Sequence, residues 1–229
     1  ILQNLSKQYN KLYENKTQVG VIEIKGTLYS AKKHVKHLKE FFENKDIKAI
    51  LLKMDCPGGS AGTSQAIYSE ILALKEQNGS KPVIALVENM CASGGYYVAS
   101  AADYIVASPS SMVGSIGVYI AHPQFKDFIE QFKVKYSVTK SGLYKTAGDP
   151  LTELTEPAKE MFQNLTNNVY EQFVSEIKAR RPKLAALDEK SWAEGRILTG
   201  NEALKVGLID AVGSYSHAVK AIKDKAIIE

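Results

Sequence analysis

The order of hydrophobic and polar positions predicts a chain in which strands and helices alternate. Residues 20–25 alternate apolar and polar side chains, as in a half-buried strand, whereas residues 47–54 and 82–87 are nearly continuous apolar runs. Such runs are typical of parallel strands that are buried on both faces. Helical spacing of apolar residues predicts helices over 31–44, 60–75, 123–132, 152–178 and 215–225. We also expect a buried helix over 88–99, short strands over 102–107, 110–118 and 134–139, and a loop over 142–150.

This alternation predicts an α/β fold with a mainly parallel sheet. No low-complexity tract or linker divides the chain, so we expect one domain over residues 1–229, with residues 1–18 as an N-terminal helix or arm. The composition agrees, because 45% hydrophobic and 24% charged residues are enough to build a buried core.

The charge of the chain argues against nucleic-acid recognition. The formal net charge is only +4, and lysines are interspersed with acidic residues. Arginine, which binds phosphate in a bidentate fashion, occurs only at Arg180, Arg181 and Arg196. We therefore interpret the lysines as a solvated surface.

Neither a membrane span nor a cysteine site is predicted. No run of about 18 apolar residues occurs, and the chain begins at Ile1, so we expect that a targeting or anchoring segment upstream has been removed. Cys56 and Cys91 fit no metal spacing and are too few for a disulfide framework.

Three glycine-bearing segments follow or border apolar runs, at the positions where open α/β sheets bind ligands. The first is residues 55–59 (Asp-Cys-Pro-Gly-Gly). Adjacent glycines let backbone N–H groups face a ligand, as an oxyanion hole requires, although a Pro-Gly-Gly motif is more often a plain turn.

The second segment, residues 92–97, places Ser93 before two glycines, in a pattern that suits the start of a helix. A serine there can attack a carbonyl while the helix N-terminus stabilises negative charge. An ordinary N-cap serine is the alternative interpretation.

The third segment combines residues 114–117 (Gly-Ser-Ile-Gly) with residues 141–150, which contain Lys145. A serine hydroxyl needs a base to become a nucleophile. A lysine can serve only after burial has lowered its pKa from about 10.4. The stretch around Lys145 is small and uncharged, which is compatible with burial.

Taken in order, these segments resemble the signal peptide peptidase A family, the Ser/Lys-dyad peptidases of the ClpP/crotonase superfamily. The resemblance extends from about residue 19 to residue 212. Its motifs are residues 55–59, 92–97 (Ala-Ser-Gly-Gly-Tyr-Tyr), 102–103 (Ala-Asp), 114–118 (Gly-Ser-Ile-Gly-Val), 141–145 (Ser-Gly-Leu-Tyr-Lys), 196–200 (Arg-Ile-Leu-Thr-Gly) and 207–210 (Gly-Leu-Ile-Asp). The family commonly has serine at the position of Cys56, so the local pocket shape is expected to differ here.

The resemblance implies a ClpP/crotonase-like fold, in which repeated β-β-α units form mainly parallel sheets flanked by helices. It implies that Ser93 is the nucleophile, Lys145 the general base and Ser115 the residue that orients the lysine, with Gly59 and Gly94 as oxyanion donors. Neither a metal nor another cofactor is implied.

The resemblance also implies the substrate and the setting. The expected substrates are leftover signal peptides or other short hydrophobic or unfolded peptides, and nucleic acid is not an expected partner. The expected assembly is a ring-shaped homo-oligomer at the bacterial cell membrane, with the catalytic domain on the extracytoplasmic side. Membrane association would use a segment absent from this chain.

Three other interpretations stay open at the level of sequence. His122 could serve as the base of a Ser-His-Asp peptidase of the ClpP type, although residues 141–145 would then have no purpose. A crotonase-type hydratase or isomerase acting on acyl-CoA would use the same backbone donors, but it would normally need a pair of carboxylates. Asp103 and Asp149 are better explained as residues that brace loops. The third interpretation is an inactive scaffold, against which the presence of both Ser93 and Lys145 argues.

Overall fold

A single sheet forms the centre of the molecule in a computed structural model, which describes residues 18–79 and 81–227. Its strands are β1 Gln18–Lys25, β2 Ile47–Cys56, β3 Val83–Ala92, β4 Tyr104–Ala107, β5 Met112–Gly114, β6 Ile197–Thr199 and β7 Ala211–Val212. The helices are α1 Lys32–Glu43, α2 Ala61–Asn78, α3 Gly94–Ser100, α4 Lys126–Gln131, α5 Glu156–Arg180, α6 Gly200–Val206 and α7 Tyr215–Ala226.

The sheet is mostly parallel, as the sequence predicts. The main strand order is β1-β2-β3-β4-β7, and all of these neighbours run parallel. Strand β3 is long enough to pair twice: its first half pairs with β4, and its last three residues pair with β5. Strand β6 then adds to β5 in the antiparallel direction. The carboxyl ends of β2, β3 and β5 are thereby brought to one edge of the sheet.

Both faces of the sheet are covered, so the central strands are apolar on both sides. In β2, Ile50 and Leu52 belong to the larger core beneath α1, α2, α3 and α5. Ala49 and Leu51 point the other way and pack in a smaller core with α7. This two-sided burial explains why the strand sequence is a continuous apolar run rather than an alternation.

Two predicted elements are wrong. The helix expected over residues 88–99 begins only at Gly94, because β3 continues to Ala92 through pairing of Met90 with Met112 and of Cys91 with both Cys56 and Val113. Neighbouring strands thus override the local preference for a helix. The strand expected over residues 134–139 does not form, because these exposed residues have no neighbouring strand to pair with.

The other predicted elements form, some with shorter limits. Only Met112–Gly114 of the strand expected over 110–118 is extended and paired, and α4 and α5 begin three and four residues later than expected. Residues 1–17, most of the expected N-terminal helix or arm, lie outside the described residues. Within the described residues, none of the helices has the length and hydrophobicity needed to cross a membrane.

Candidate active site

Ser93 occupies a tight turn between β3 and α3. Its backbone has φ 52° and ψ −126°, a conformation that costs about 1–3 kcal/mol for a residue other than glycine. Two backbone hydrogen bonds hold it: the Ser93 N–H donates to the Gly114 carbonyl at 2.7 Å, and the Tyr97 N–H donates to the Ser93 carbonyl at 3.0 Å. The turn therefore aims the side chain in a direction that the neighbouring strand and helix fix.

The Ser93 hydroxyl does not cap the helix that it precedes. Ser93 stands at the N-cap position of α3, but its side chain makes no capping hydrogen bond. The side chain instead borders two cavities at the edge of the sheet. The N-cap interpretation of this serine is therefore wrong, and its hydroxyl is available for chemistry.

The Pro-Gly-Gly turn packs directly against Ser93. A Cβ atom on Gly58 would lie 2.7 Å from the Ser93 Cβ, 3.1 Å from its Oγ and 3.0 Å from the Gly94 amide nitrogen. Only glycine allows the turn to approach the serine this closely.

The amides of Gly59 and Gly94 are both free to face a ligand. Leu28 pairs with Gly59 as residues of two parallel strands do. The Leu28 N–H donates to the Gly58 carbonyl, and the Leu28 carbonyl accepts from the Ser60 N–H. In this pattern the Gly59 N–H points away from Leu28, and its nitrogen is 3.4 Å from where a Cβ on Gly94 would stand. Gly94 is the first residue of α3, and the first N–H groups of a helix have no partner within the helix.

Ser115 also lies in a turn with positive φ, and it lines the same cavity as Ser93. It directly follows β5, has φ 52°, and donates its N–H to the Arg196 carbonyl at 2.7 Å. Ser93, Ser115 and Gly59 line one cavity of about 820 Å³. The structure therefore brings together four of the five predicted site residues: Ser93, Ser115, Gly59 and Gly94.

A second cavity of about 330 Å³ opens on the other side of Ser93 and is mainly apolar. It shares Ser93, Gly59 and the segment 117–119 with the first cavity. Its remaining lining includes Ile120, Tyr97 and four residues of α5, namely Leu165, Thr166, Val169 and Phe173. The carbon-rich lining suits an apolar side chain.

Lys145 is not in either cavity. It lies in a turn between Gly142 and Gly148, its side chain is exposed, and it lines none of the cavities described here. The turn itself is braced: the Lys140 ammonium donates to the Leu143 carbonyl at 3.0 Å and to the Thr146 hydroxyl at 2.9 Å. Within one described chain, the predicted base and nucleophile are therefore not brought together.

His122 does not approach Ser93 either. Its ring packs against Phe162 in a tilted arrangement with a centroid distance of 4.1 Å, and it borders a third cavity that Ser93 does not line. Nor do the cysteines compete with Ser93 as nucleophiles, because burial raises the pKa of both the Cys56 and the Cys91 thiol.

Asp103 and Asp149 brace the backbone, as expected from the sequence. The Asp103 carboxylate accepts from the Val83 N–H at 2.9 Å, and Asp149 accepts from the Leu151 N–H at 2.8 Å.

Sequence reasoning missed the residues of α5 and of the loop before β6 that line the larger cavity. Tyr170 donates to Glu189 at 3.0 Å, and burial together with this hydrogen bond raises its pKa to about 12. Glu194 follows in the loop with φ 57°. No sequence motif links these residues to Ser93, and only the spatial proximity of the 115–117 and 194–196 segments does so.

Comparisons with known proteins place the chain among peptidases. The family model described as peptidase family S49 matches residues 75–229. Protease 4 of Haemophilus influenzae is 30% identical over 217 residues, which cover 90% of this chain and 34% of that protein. The chloroplastic serine protease SPPA of Arabidopsis thaliana is 34% identical over 211 residues, 91% of this chain and 30% of that protein.

A solved structure of a membrane-bound stomatin-specific protease has the same fold. It superposes with a TM-score of 0.58 at 21% identity and covers 90% of this chain and 84% of that one. The α/β, ClpP/crotonase-like architecture predicted from the sequence is thereby confirmed.

Proposed function

Because the chain belongs to peptidase family S49, we propose that it is a serine endopeptidase with Ser93 as its nucleophile and Lys145 as its general base. One observation carries the proposal: the Ser93 hydroxyl, unused as a helix cap, opens into a cavity beside the free amides of Gly59 and Gly94. Those are the two elements that acyl transfer requires, a nucleophile and an oxyanion hole.

The proposed reaction has two steps. Neutral Lys145 takes the proton of Ser93 as the oxygen attacks the peptide carbonyl, and the Gly59 and Gly94 amides stabilise the resulting oxyanion. The protonated lysine then gives its proton to the leaving amine, and an acyl-enzyme remains. Water, deprotonated by the same lysine, attacks the ester and releases the acid product and Ser93.

The exposed position of Lys145 calls for a second copy of the chain. Within the described residues, ten large apolar side chains are exposed between residues 119 and 144, among them Tyr119 at 87% and Phe132 at 67%. A monomeric protein rarely exposes so many apolar side chains in one segment. We infer that this segment, which we name the 119–144 surface, packs against a neighbouring copy in a closed, ring-shaped homo-oligomer. Such packing would exclude water from Lys145 and so favour its neutral form.

The apolar cavity supports the choice of substrate. A leftover signal peptide contains an apolar stretch of 7–15 residues. An apolar or small residue before the scissile bond would fit among Leu165, Val169 and Phe173. We therefore propose that the natural substrates are leftover signal peptides or similar short hydrophobic or unfolded peptides. Their cleavage would take place at the bacterial cell membrane, on its extracytoplasmic side.

Digestion of a synthetic signal peptide tests the function directly. We expect cleavage after small or apolar residues, read by mass spectrometry, and covalent labelling of Ser93 by a fluorophosphonate probe. Both Ser93→Ala and Lys145→Ala should abolish cleavage and leave the circular dichroism spectrum and the melting temperature unchanged. Near-normal turnover in Lys145→Ala would rule out the dyad, and cleavage after charged residues would rule out the apolar specificity.

A further inference from the structure

Among the residues that the structure describes, Glu194 is the only charged one that lines the larger cavity beside Ser93. The other lining residues are aromatic, hydroxyl-bearing or small, such as Tyr29, Thr27 and Gly117. A single carboxylate in a neutral cavity gives that cavity a negative potential, which attracts a cationic ligand.

The loop that carries Glu194 is fixed to the catalytic segment. Beyond the β5–β6 pairing, the Gly195 N–H donates to the Ile116 carbonyl at 2.7 Å, and the Ser115 N–H donates to the Arg196 carbonyl at 2.7 Å. These hydrogen bonds, made by the two residues that follow Glu194, hold it close to the turn that positions Ser115. The sheet therefore fixes the position of Glu194 relative to Ser93.

A second set of contacts supports the same loop from α5. The Glu194 backbone lies beside the hydroxyl of Tyr170, which donates to Glu189 at 3.0 Å. Glu189 also forms an ion pair with Lys178 at 2.8 Å, and the pKa of its carboxyl is lowered, mainly by that hydrogen bond.

No cation of the described chain neutralises Glu194. Glu189, five residues earlier, is paired with Lys178, but Glu194 forms no ion pair within 4.0 Å among residues 18–79 and 81–227. Its side chain is exposed to the cavity and to solvent. The carboxylate is therefore available to a ligand that brings its own positive charge.

We propose that Glu194 is a specificity-determining residue that binds a cationic group of the peptide substrate, either a Lys or Arg side chain or a free α-ammonium. This inference rests on the proposed function and deepens it. The apolar cavity and the acidic cavity meet at Ser93, so one extended peptide places an apolar side chain on one side of the nucleophile and the cation on the other. The preferred substrates are peptides in which an apolar stretch adjoins a positive charge, the pattern of a signal peptide where its basic and apolar regions meet.

The alternative occupant of the acidic cavity is Lys145 of a second copy. A carboxylate beside that lysine would favour the ammonium form, which cannot accept the Ser93 proton. Ser115, an uncharged hydrogen-bonding group in the same cavity, is the better neighbour for a neutral amine. The observations therefore favour a cation of the substrate.

Equilibrium binding tests the proposal without depending on turnover. The protein carries Ser93→Ala so that peptides stay intact, and fluorescence anisotropy follows labelled apolar peptides with one lysine at successive positions. Each peptide has a partner with uncharged norleucine at that position, and each is made with a free or an acetylated N-terminus. We expect one lysine position, or the free amine, to tighten binding about fivefold, as for the stronger exposed ion pairs.

Adding Glu194→Gln to this protein should abolish that gain, and Glu194→Lys should transfer the preference to a peptide with glutamate at the same position. Glu171→Gln is the matched control, because Glu171 is an exposed glutamate on α5 that lines none of the cavities. The control should keep the full lysine preference, and all variants should melt like the parent protein.

Several results would overturn the proposal. They are equal affinity for lysine and norleucine peptides at every position, equal loss in the Glu171 control, or a retained lysine preference in Glu194→Gln. If Glu194→Gln shifted the acid limb of the pH–rate profile and kept the lysine preference, Glu194 would interact with Lys145 of a second copy instead of the substrate. Failure of the wild type to cleave peptides, with the lysine preference present, would contradict the proposed function and leave this inference standing.

Discussion

At the scale of single residues, the candidate site depends on two serines that share an unusual positive φ. Ser93 and Ser115 both have φ 52°, and each directly follows a strand. A hydrogen bond of 2.7 Å holds each turn: the Ser93 N–H donates to the Gly114 carbonyl, and the Ser115 N–H donates to the Arg196 carbonyl. Conformations of this kind persist only where the surrounding structure holds them, and they concentrate at functional sites. The paired turns direct both side chains into one cavity.

The role of Ser115 can be measured separately from that of the dyad. If Ser115 orients the neutral lysine, Ser115→Ala should lower kcat about 10–100-fold, by analogy with the loss of groups that orient metal ligands. KM should change little, because the peptide itself is not held by this hydroxyl. Steady-state kinetics on a signal peptide is the measurement.

A second variant makes the Ser115 result interpretable. Ser115→Thr keeps a hydroxyl and should restore part of the rate, which a purely structural role would not require. An unaltered kcat in Ser115→Ala would reduce this segment to a structural turn.

At the scale of secondary-structure elements, the edge of the sheet matters more than any single helix. Strands β2, β3 and β5 end within the same region, and each is followed by one of the three turns of the candidate site. The far ends of β4 and β7 are tied instead by Asp210, which accepts from the Ile105 N–H at 2.7 Å and from Arg181 at 2.7 Å. This brace connects the end of α5 to the sheet.

The Asp210 brace predicts a stability effect. Arg181 is buried, with 7% of its side chain exposed, so Asp210→Ala leaves an uncompensated cation in the interior. Because Asp210 is itself partly exposed, we expect a loss near the low end for a buried pair, about 3 kcal/mol of unfolding free energy. Urea denaturation measures it.

The control for this measurement is Asp224→Ala, which removes an exposed aspartate of α7 that has no ion pair in the described chain. It should be close to neutral. Adding Arg181→Met to Asp210→Ala should recover part of the loss, since the buried charge is then gone. Equal midpoints for Asp210→Ala and the wild type would show that the brace contributes nothing.

At the scale of the whole molecule, one chain presents an uncovered site. The larger cavity is open, Lys145 is exposed and outside it, and the 119–144 surface is apolar and uncovered. The closed assembly proposed above would account for all three features, because a neighbour would cover both the apolar surface and Lys145, the proposed base.

Assembly is expected to be necessary for activity. Native mass spectrometry and sedimentation at micromolar concentration should find a closed homo-oligomer. Phe132→Asp in the 119–144 surface should yield an inactive monomer, because Lys145 then stays in water. Tyr215→Asp, at an exposed aromatic residue of α7, is the matched control and should leave the assembly intact.

Mixing two inactive variants extends this test. If Lys145 acts in the cavity of a neighbouring copy, chains with Ser93→Ala and chains with Lys145→Ala should regain part of the wild-type activity when they assemble together. A fully active monomer would show that the site is completed by its own chain, and the argument for assembly would fail.

The sequence by itself determined the fold class and pointed to four residues that meet in the candidate site. Apolar runs such as residues 47–54 signal strands covered on both faces, whatever the order of the strands. The glycines around Ser93 were informative because the reason for them is local: only residues without side chains let the Pro-Gly-Gly turn pack this closely against Ser93.

Only the tertiary structure decided the limits of β3, the position of Lys145 and the presence of Glu194 in the cavity. Residues 88–92 have the composition of a helix, but strands from distant parts of the chain pair with them and keep them extended. Lys145 looked buried because its neighbours are small, yet burial depends on what packs above it, and no described part of the same chain does. Glu194 reaches the cavity through the β5–β6 pairing of segments about 80 residues apart, a contact that depends on the global fold and leaves no local pattern.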